Sequence, residues 1–453
     1  MSEKENEKFP NFYQERRRKI IEYLENSNPE EAYIIIRSML DYPGQIDNDF
    51  WLQDALGLFE RITSELVGEQ LALLVKNVVE NPNNVEALYD LSYELYEQNL
   101  YGIAATMLKR ADDIVPQDPK IVSELVSNLE ELMLNYEAYK ILSNSKKLIE
   151  TNDLCRYLLA YNSLMTGNIE EPLNILPSLK KSDDPDIRFM SKSLKGMLNR
   201  ALVLRKSRSL DKQDLRGWHM VLNGSILLHL SPFGLNDGMF GRYAYISDSY
   251  SLIRDGIERL KAIFDASKIE VHSILALPDR SSQVLAMATS SILGITLKDW
   301  HDIDINTPGL IVAYDLDEIH SSEISNEIAD HRPGQILWVH ASCWTNPFPI
   351  SPDITTYLYQ QKVNPWGGGG MGYNTKLKRI TITEADKAND EELSKRILDA
   401  TIDEEYINDL DDLLSMIEPL EILNEEDKPG IFKKAGRRLR QRKGSPVPSN
   451  RFY

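Results

Sequence analysis

Apolar and small residues recur along the first half of the chain with a constant period. Leu88, Leu91, Leu95, Ala104, Leu108 and Ala111 lie between Asn81 and Pro116, and a step of 34 residues reaches Val122, Leu125, Leu129, Ala138 and Leu142. A second step reaches Leu159, Ser163, Pro172 and Leu176, with Thr166-Gly167-Asn168 as the turn between two helices. Inside each unit the spacing is helical. Self-similarity at this period predicts stacked helical hairpins, because one hairpin cannot bury its apolar face without a neighbour. Upstream, Arg16–Leu24, a helix opened by Asn28-Pro29-Glu30-Glu31, Trp51–Leu66 and Glu69–Val79 read as divergent members of the same array. Together these predict about five hairpins, and a helix over Pro185–Arg205 caps the array or links it onward.

Beyond the charged stretch Arg205–Asp214 the pattern changes. All seven histidines and five of the six tryptophans follow it. Short apolar runs at Ile226–Leu230, Val271–Leu277, Ile295–Leu297, Leu310–Tyr314 and Ile336–Ala341 predict strands; Ser247–Ala266, Ser282–Leu293 and Ile354–Gln361 predict helices. Lys376–Thr383 reads as an edge strand. Strands alternating with helices imply an α/β domain with a partly parallel sheet. The predicted organisation is a disordered N-terminus (1–11), an α-solenoid of helical hairpins (12–206), the α/β domain (207–383), an acidic helical segment (384–430) and a basic disordered tail (431–453). The acidic segment keeps helical spacing at Ile407, Leu410, Leu413, Leu414 and Ile417, which predicts docking through one amphipathic helix.

A net charge of −19 opposes general affinity for nucleic acid or an anionic membrane. The exception is the basic run 433–443, which can meet RNA, an acidic partner or the chain's own acidic segment. Two cysteines, Cys155 and Cys343, exclude a disulfide framework and point to a reducing cytoplasm. There is no apolar leader and no apolar run long enough to cross a bilayer, so no membrane association is expected.

On these residues the first half resembles a tetratricopeptide-repeat protein. Leu88 occupies the usual Trp position and Ser92 the usual Gly; Arg156 and Ser145 depart from the pattern in later units. The resemblance implies a protein-binding scaffold, with the repeat array engaging a partner peptide or helix and coupled to the α/β module, and no enzyme activity is expected. Arg110, Asn128 and Asn162 are the polar candidates for partner contact.

Candidate chemistry concentrates in two loops. Strand Val271–Leu277 runs into Pro278-Asp279-Arg280-Ser281-Ser282 and a helix, a geometry that suits an anion or, more simply, places a helix cap. Strand Leu310–Tyr314 runs into Asp315-Leu316-Asp317-Glu318 and His320-Ser321-Ser322, at the strand end where α/β sheets hold ligands. In order and spacing the two loops distantly resemble a degenerate type I phosphoribosyltransferase, with Tyr314 replacing one of the paired acids and Glu323 the terminal glycine. That resemblance implies the alternative function, a nucleotide-binding or transferase domain regulated through the repeats. Its ligand residues would be Asp279, Arg280, Ser281, Asp315, Asp317, Ser321 and Ser322. No cofactor is otherwise expected, and Mg²⁺ enters only under this alternative. No metal-ligand spacing is present among the histidines and cysteines, and His340 and Cys343 point to opposite faces of one strand. The glycine-containing stretch 232–243 reads as a binding loop or a packed connection, and Gly367–Gly370 as a linker or mobile flap.

Overall fold

Asn84, Asp118 and Asn152 stand one repeat apart, and each caps a helix with its side chain, accepting backbone N–H groups of the first turn. Asn99, Met133 and Gly167, again one repeat apart, each adopt positive φ where one helix hands over to the next. The period in the sequence is therefore a period in the backbone. The computed structural model describes residues 11–44, 49–232, 241–374, 379–403, 409–426, 436–449 and 451. It falls into two units, Met1–Ser191 and Lys192–Tyr453.

In the first unit the described residues form helices α1 (Asn11–Glu25), α2 (Pro29–Leu40), α3 (Asp49–Leu66), α4 (Glu69–Glu80), α5 (Val85–Glu97), α6 (Tyr101–Ile114), α7 (Pro119–Glu131), α8 (Asn135–Asn144), α9 (Lys146–Thr151), α10 (Asp153–Met165) and α11 (Glu170–Leu179); α12 (Pro185–Leu204) begins in this unit and ends in the second. Consecutive helices pack on one another from α2 through α11. The periodic residues Leu88, Leu91, Leu95, Ala104, Val122, Leu125, Leu129, Ala138 and Leu142 are all fully buried. Truncating such a leucine to alanine costs about 2–5 kcal/mol, so the helices of this unit are held together by these buried side chains. Among the described residues no helix is long and apolar enough to cross a membrane.

The second unit is built on a parallel sheet. Its strands are β1 (Ile226–Leu227), β2 (Tyr243–Ser247), β3 (Ile274–Ala276), β4 (Leu297–Asp299), β5 (Gly309–Asp315), β7 (Gln335–Cys343) and β8 (Ile354–Val363); a short β6 (Asp330–His331) lies outside it. The order is β4-β3-β5-β7-β8, with β1 and then β2 along the free edge of β8, and every pairing is parallel. Helices α13 (Leu215–Asn223), α14 (Tyr250–Ser267), α15 (Arg280–Leu293) and α16 (Ser322–Ala329) complete the layers. Alternate strand residues Leu275, Leu277, Ile311, Ala313, Leu337 and Val339 meet Ile324 and Ile328 of α16 on one face. On the other face α14 comes so close that a Cβ on Gly256 would lie 2.8 Å from Thr356 of β8.

Three expectations are corrected here. Ile354–Gln361 is a central strand and not a helix. Arg379–Ile382 (β10) pairs with β9 (Met371–Asn374) in a separate two-stranded hairpin instead of extending the sheet. The acidic segment docks through α17 (Asp390–Asp399), α18 (Leu410–Leu414) and α19 (Ile417–Glu426) rather than one helix. Ile407 and the loop residues 233–240 lie outside the described residues.

The tail is also not disordered over residues 436–449. Its strand β11 (Gly436–Arg437) pairs with β6, Arg438 is ion-paired to Asp353, and Gln441 Nε2 donates to Ser342 Oγ. The glycine run is tied down as well: Gly369 N–H donates to Thr383 O and Thr383 N–H to Gly370 O, both at 2.8 Å. Gly368, at φ +73°, passes so close to Ala385 that no side chain would fit.

Candidate functional site

The connection from β3 through α15 leads to β4 on one side, whereas that from β5 through α16 leads to β7 on the other. The two loops diverge above the β3–β5 pair, and such a switch point opens a crevice at the carboxyl ends of the strands. The fold therefore brings the two candidate loops together, Asp279–Ser282 after β3 and Asp315–Ser322 after β5.

Asp315 ends β5 and is 2% exposed. Its Oδ1 accepts the Asp317 N–H at 3.0 Å, opening the short turn Leu316–Glu318. Its Oδ2 accepts the Tyr359 hydroxyl at 2.5 Å and lies 3.1 Å from Lys362 Nζ. Lys362 also pairs with Glu318 at 2.8 Å and sits 5.0 Å and 5.5 Å from the ring centroids of Tyr314 and Tyr359. Burial pushes the Asp315 carboxyl up to about 6, against the opposing pull of Lys362 and of the Tyr359 hydroxyl. On the opposite face, the Tyr314 hydroxyl donates to Asp248 Oδ2 at 2.5 Å, and His340 Nε2 lies 3.0 Å from the same oxygen. The carboxylate oxygen accepts from both, so His340 Nε2 is a donor.

A native carboxyl that holds its proton more tightly than the unfolded chain contributes stability below the ordinary carboxylate range. That contribution is lost as pH rises through about 6. From pH 7 to pH 5 the wild-type chain is expected to gain roughly 1 kcal/mol relative to Asp315→Asn. Denaturant unfolding of both proteins at the two pH values measures it; identical pH responses would mean that Lys362 keeps the carboxyl ionised throughout.

The other candidates serve the loops themselves. Asp279 caps α15 through the Ser282 N–H at 2.8 Å, and its Oδ2 is buried without a partner. Burial raises its pKa, and the nearby Glu318 adds to the rise. Arg280 turns outward to Asp390 and the Ala388 carbonyl, at 2.9 Å and 2.6 Å. Ser281 Oγ accepts Asn364 Nδ2 and Trp366 Nε1, while Ser282 Oγ accepts the Tyr314 N–H. Ser321 caps α16, and Ser322 is the exposed first residue of that helix. The crevice thus gathers four acids, Asp279, Asp315, Asp317 and Glu318, of which Asp315 and Glu318 are bonded to Lys362. That charge repels a phosphate, and Arg280 is committed elsewhere. No group of His, Cys, Asp and Glu suited to a metal ion occurs among the described residues. His340 and Cys343 form no dyad: His340 serves Asp248, and Cys343 Sγ contacts Thr345 and Asn346.

In the helical unit the three polar candidates are internal. Arg110 is buried and bonds Pro82 O, Asn83 Oδ1 and Asp49 Oδ1, holding neighbouring helices together. Asn128 Nδ2 donates to Glu124 O, and Asn162 joins Asn135, Glu130 and Leu158. None of the three is available to a partner. What the surface offers instead is a pair of stripes. Tyr89, Tyr93 and Tyr96 stand at i, i+4 and i+7 on α5, and Glu124 and Glu131 at i and i+7 on α7. The stripes adjoin. The phenols of Tyr96 and Tyr101 are raised first by partial burial and then by Glu131, that of Tyr96 to about 12. Lys120 Nζ of α7 lies 4.0 Å from the Tyr89 ring centroid. Tyr93 is 56% exposed and Tyr136, one hairpin on, 58%. A tyrosine stripe at helical spacing was legible in the sequence, but its glutamate neighbours are set by packing. No protein-family model matches the chain, and no curated protein matches it.

Proposed function

We propose that the chain is an interaction adaptor whose helical repeats, of tetratricopeptide type, capture a lysine- and arginine-rich segment of a partner protein. The observation that carries this reading is the tyrosine–glutamate face of α5 and α7. Exposed phenol rings beside carboxylates offer each cationic side chain a ring face and a counter-charge. The chain's own lysines already use such rings: Lys120 sits over Tyr89, and Lys140 over Tyr136 at 4.6 Å. Charge supports the same partner, since residues 41–137 hold 19 acids against 5 bases. In the α/β unit, the mutual bonding of the crevice carboxylates with Lys362 and Tyr359 supports a structural role and not phosphoribosyl transfer.

The test is titration of the full chain with a short fluorescent Lys/Arg-rich peptide and with a Glu/Asp-rich peptide of the same length. Saturable binding of the basic peptide alone, weakening as salt screens the charges, is the expected result. Equal binding of both peptides, or of neither, overturns the proposal.

A further inference from the structure

Arg242, just ahead of β2, is a buried cation that no carboxylate pairs with among the described residues. It is 3% exposed, and its guanidinium bonds two neutral acceptors of the tail, Val447 O at 2.7 Å and Ser449 Oγ at 3.0 Å. Its flat face lies 5.0 Å from the Trp344 ring centroid. Its Nε–H is buried and has no acceptor. Burial depresses its pKa to about 9, with no carboxylate among the described residues to offset the cost, so it remains charged at neutral pH. A buried charge of this kind is costly unless something pairs with it.

Beside it lies a cavity of ≈ 20 Å³ whose walls include Arg242, His219, Asn223, Trp344, Gln441 and Arg442. The protonation of its second wall follows from the hydrogen bonds. Asn223 Oδ1 accepts the Arg442 N–H at 2.7 Å, so the Asn223 Nδ2 is the atom that faces His219 Nδ1, at 3.3 Å. That nitrogen must accept, which puts the imidazole proton on Nε2. Nε2 is buried and likewise has no partner. Burial, reinforced by Arg242, lowers the His219 pKa to about 3, so the ring is neutral and Nε2 is a donor. Two residues that each carry a buried N–H without an acceptor, one of them an unneutralised guanidinium, therefore line one small chamber. Such donors call for an acceptor, and the uncompensated charge selects a negative one. A cavity needs only about 10–15 Å³ to hold a water-sized particle, and this one has little room beyond that. Phosphate, sulfate and carboxylates are too large.

We propose that this cavity is a binding site for one monatomic anion, chloride under cellular conditions, which neutralises Arg242 and holds the tail loop Gln441–Ser445 against the α/β unit. The loop supplies one wall of the cavity and residues 447–449 bond the same guanidinium, so anion binding and tail docking reinforce each other.

Crystals of the full chain grown in sodium bromide test the site directly. An anomalous bromide peak between Arg242 Nε and His219 Nε2 is expected; ordinary water density there, with no anomalous signal, overturns the proposal. In solution, at ten times the dissociation constant, halide is expected to shift the unfolding equilibrium roughly tenfold relative to sodium gluconate of equal ionic strength. Arg242→Met should abolish this halide dependence, and His219→Phe, which keeps the charge but removes a donor, should weaken it. A halide response unchanged in either folded variant would place the effect elsewhere and overturn the assignment.

Discussion

Replacing Asp353 with asparagine is expected to cost about 3–5 kcal/mol and to release the tail. The side chains of Asp353 and Arg438 are each 1% exposed, and the carboxylate is the guanidinium's ionic partner. Asp353 Oδ2 also accepts the Leu337 N–H at 2.7 Å, with His331 Nε2 3.7 Å away. Both Leu337 N–H and Arg438 bond the same oxygen, Oδ2, so asparagine can keep that acceptor, but it removes the negative charge and leaves the buried guanidinium uncompensated. Removing one member of such a pair is far more harmful than removing both. The double variant Asp353→Asn/Arg438→Met is therefore expected to be more stable than Asp353→Asn alone. Thermal unfolding should show a Tm lower by roughly 10 °C for the single variant, with partial recovery in the double. Limited proteolysis should cut the single variant within 436–449, where Arg438 N–H bonds Ala329 O and Ser351 N–H bonds Leu439 O. A single variant as stable as wild type would mean that the pair does not hold the tail.

This pair also illustrates which parts of the fold are local. The helices starting at Pro29, Val85, Pro119 and Asp153 are readable because a capping residue, an apolar stripe and a repeat period agree at each. Strand β8 is not readable. Ile354, Tyr357, Leu358 and Gln361 have helical spacing, yet β8 is flanked by β7 on one edge and β1 and β2 on the other, so residues on both its faces are buried and the period-2 signal vanishes. Misreading β8 hides Tyr359 and Lys362, which complete the Asp315 cluster from that strand. The loops after β3 and β5 were legible as strand ends; their partners were not.

Charge was the other source of error. A run of seven Lys/Arg between Lys433 and Lys443 reads as a solvated tail, and only the distant Asp353 makes Arg438 internal. The acidic segment likewise meets cations nearly two hundred residues earlier in the chain. Asp409 bonds Arg216 at 2.6 Å and Arg259 at 2.5 Å, and Asp412 bonds Arg208 at 2.8 Å. Arg216 also donates to the Leu227 and Leu228 carbonyls, so these arginines tie the segment to the start of the sheet. Pairing of opposite charges was foreseeable. The segment's partners turned out to be scattered arginines, and the basic tail found neutral groups, the buried Asp353 and, at 3.9 Å from Arg437, the exposed Asp330.

Reversing Glu124 and Glu131 to lysine together is expected to weaken binding of the basic peptide by up to about thirtyfold at low salt. Each exposed carboxylate contributes about 0.2–1 kcal/mol to an ion pair, and reversal replaces that attraction with repulsion of similar size. Over two sites the change approaches 2 kcal/mol, and each 1.4 kcal/mol is a factor of ten. Neutralisation to glutamine should give about half this loss in free energy. Raising salt should close the gap between wild type and variants, because the Debye length falls from about 10 Å at 0.1 M to about 3 Å at 1 M. Tyr93→Ala tests the other half of the face. It removes a ring and no charge, so its loss, about 0.5–1 kcal/mol, should persist at high salt. The two responses separate the electrostatic and ring contributions. All the substituted positions are at least partly exposed, and unchanged far-UV circular dichroism would show that the helices persist. If the peptide binds the charge-reversed chain as tightly as wild type, its site is not the face of α5 and α7, even if the chain remains an adaptor.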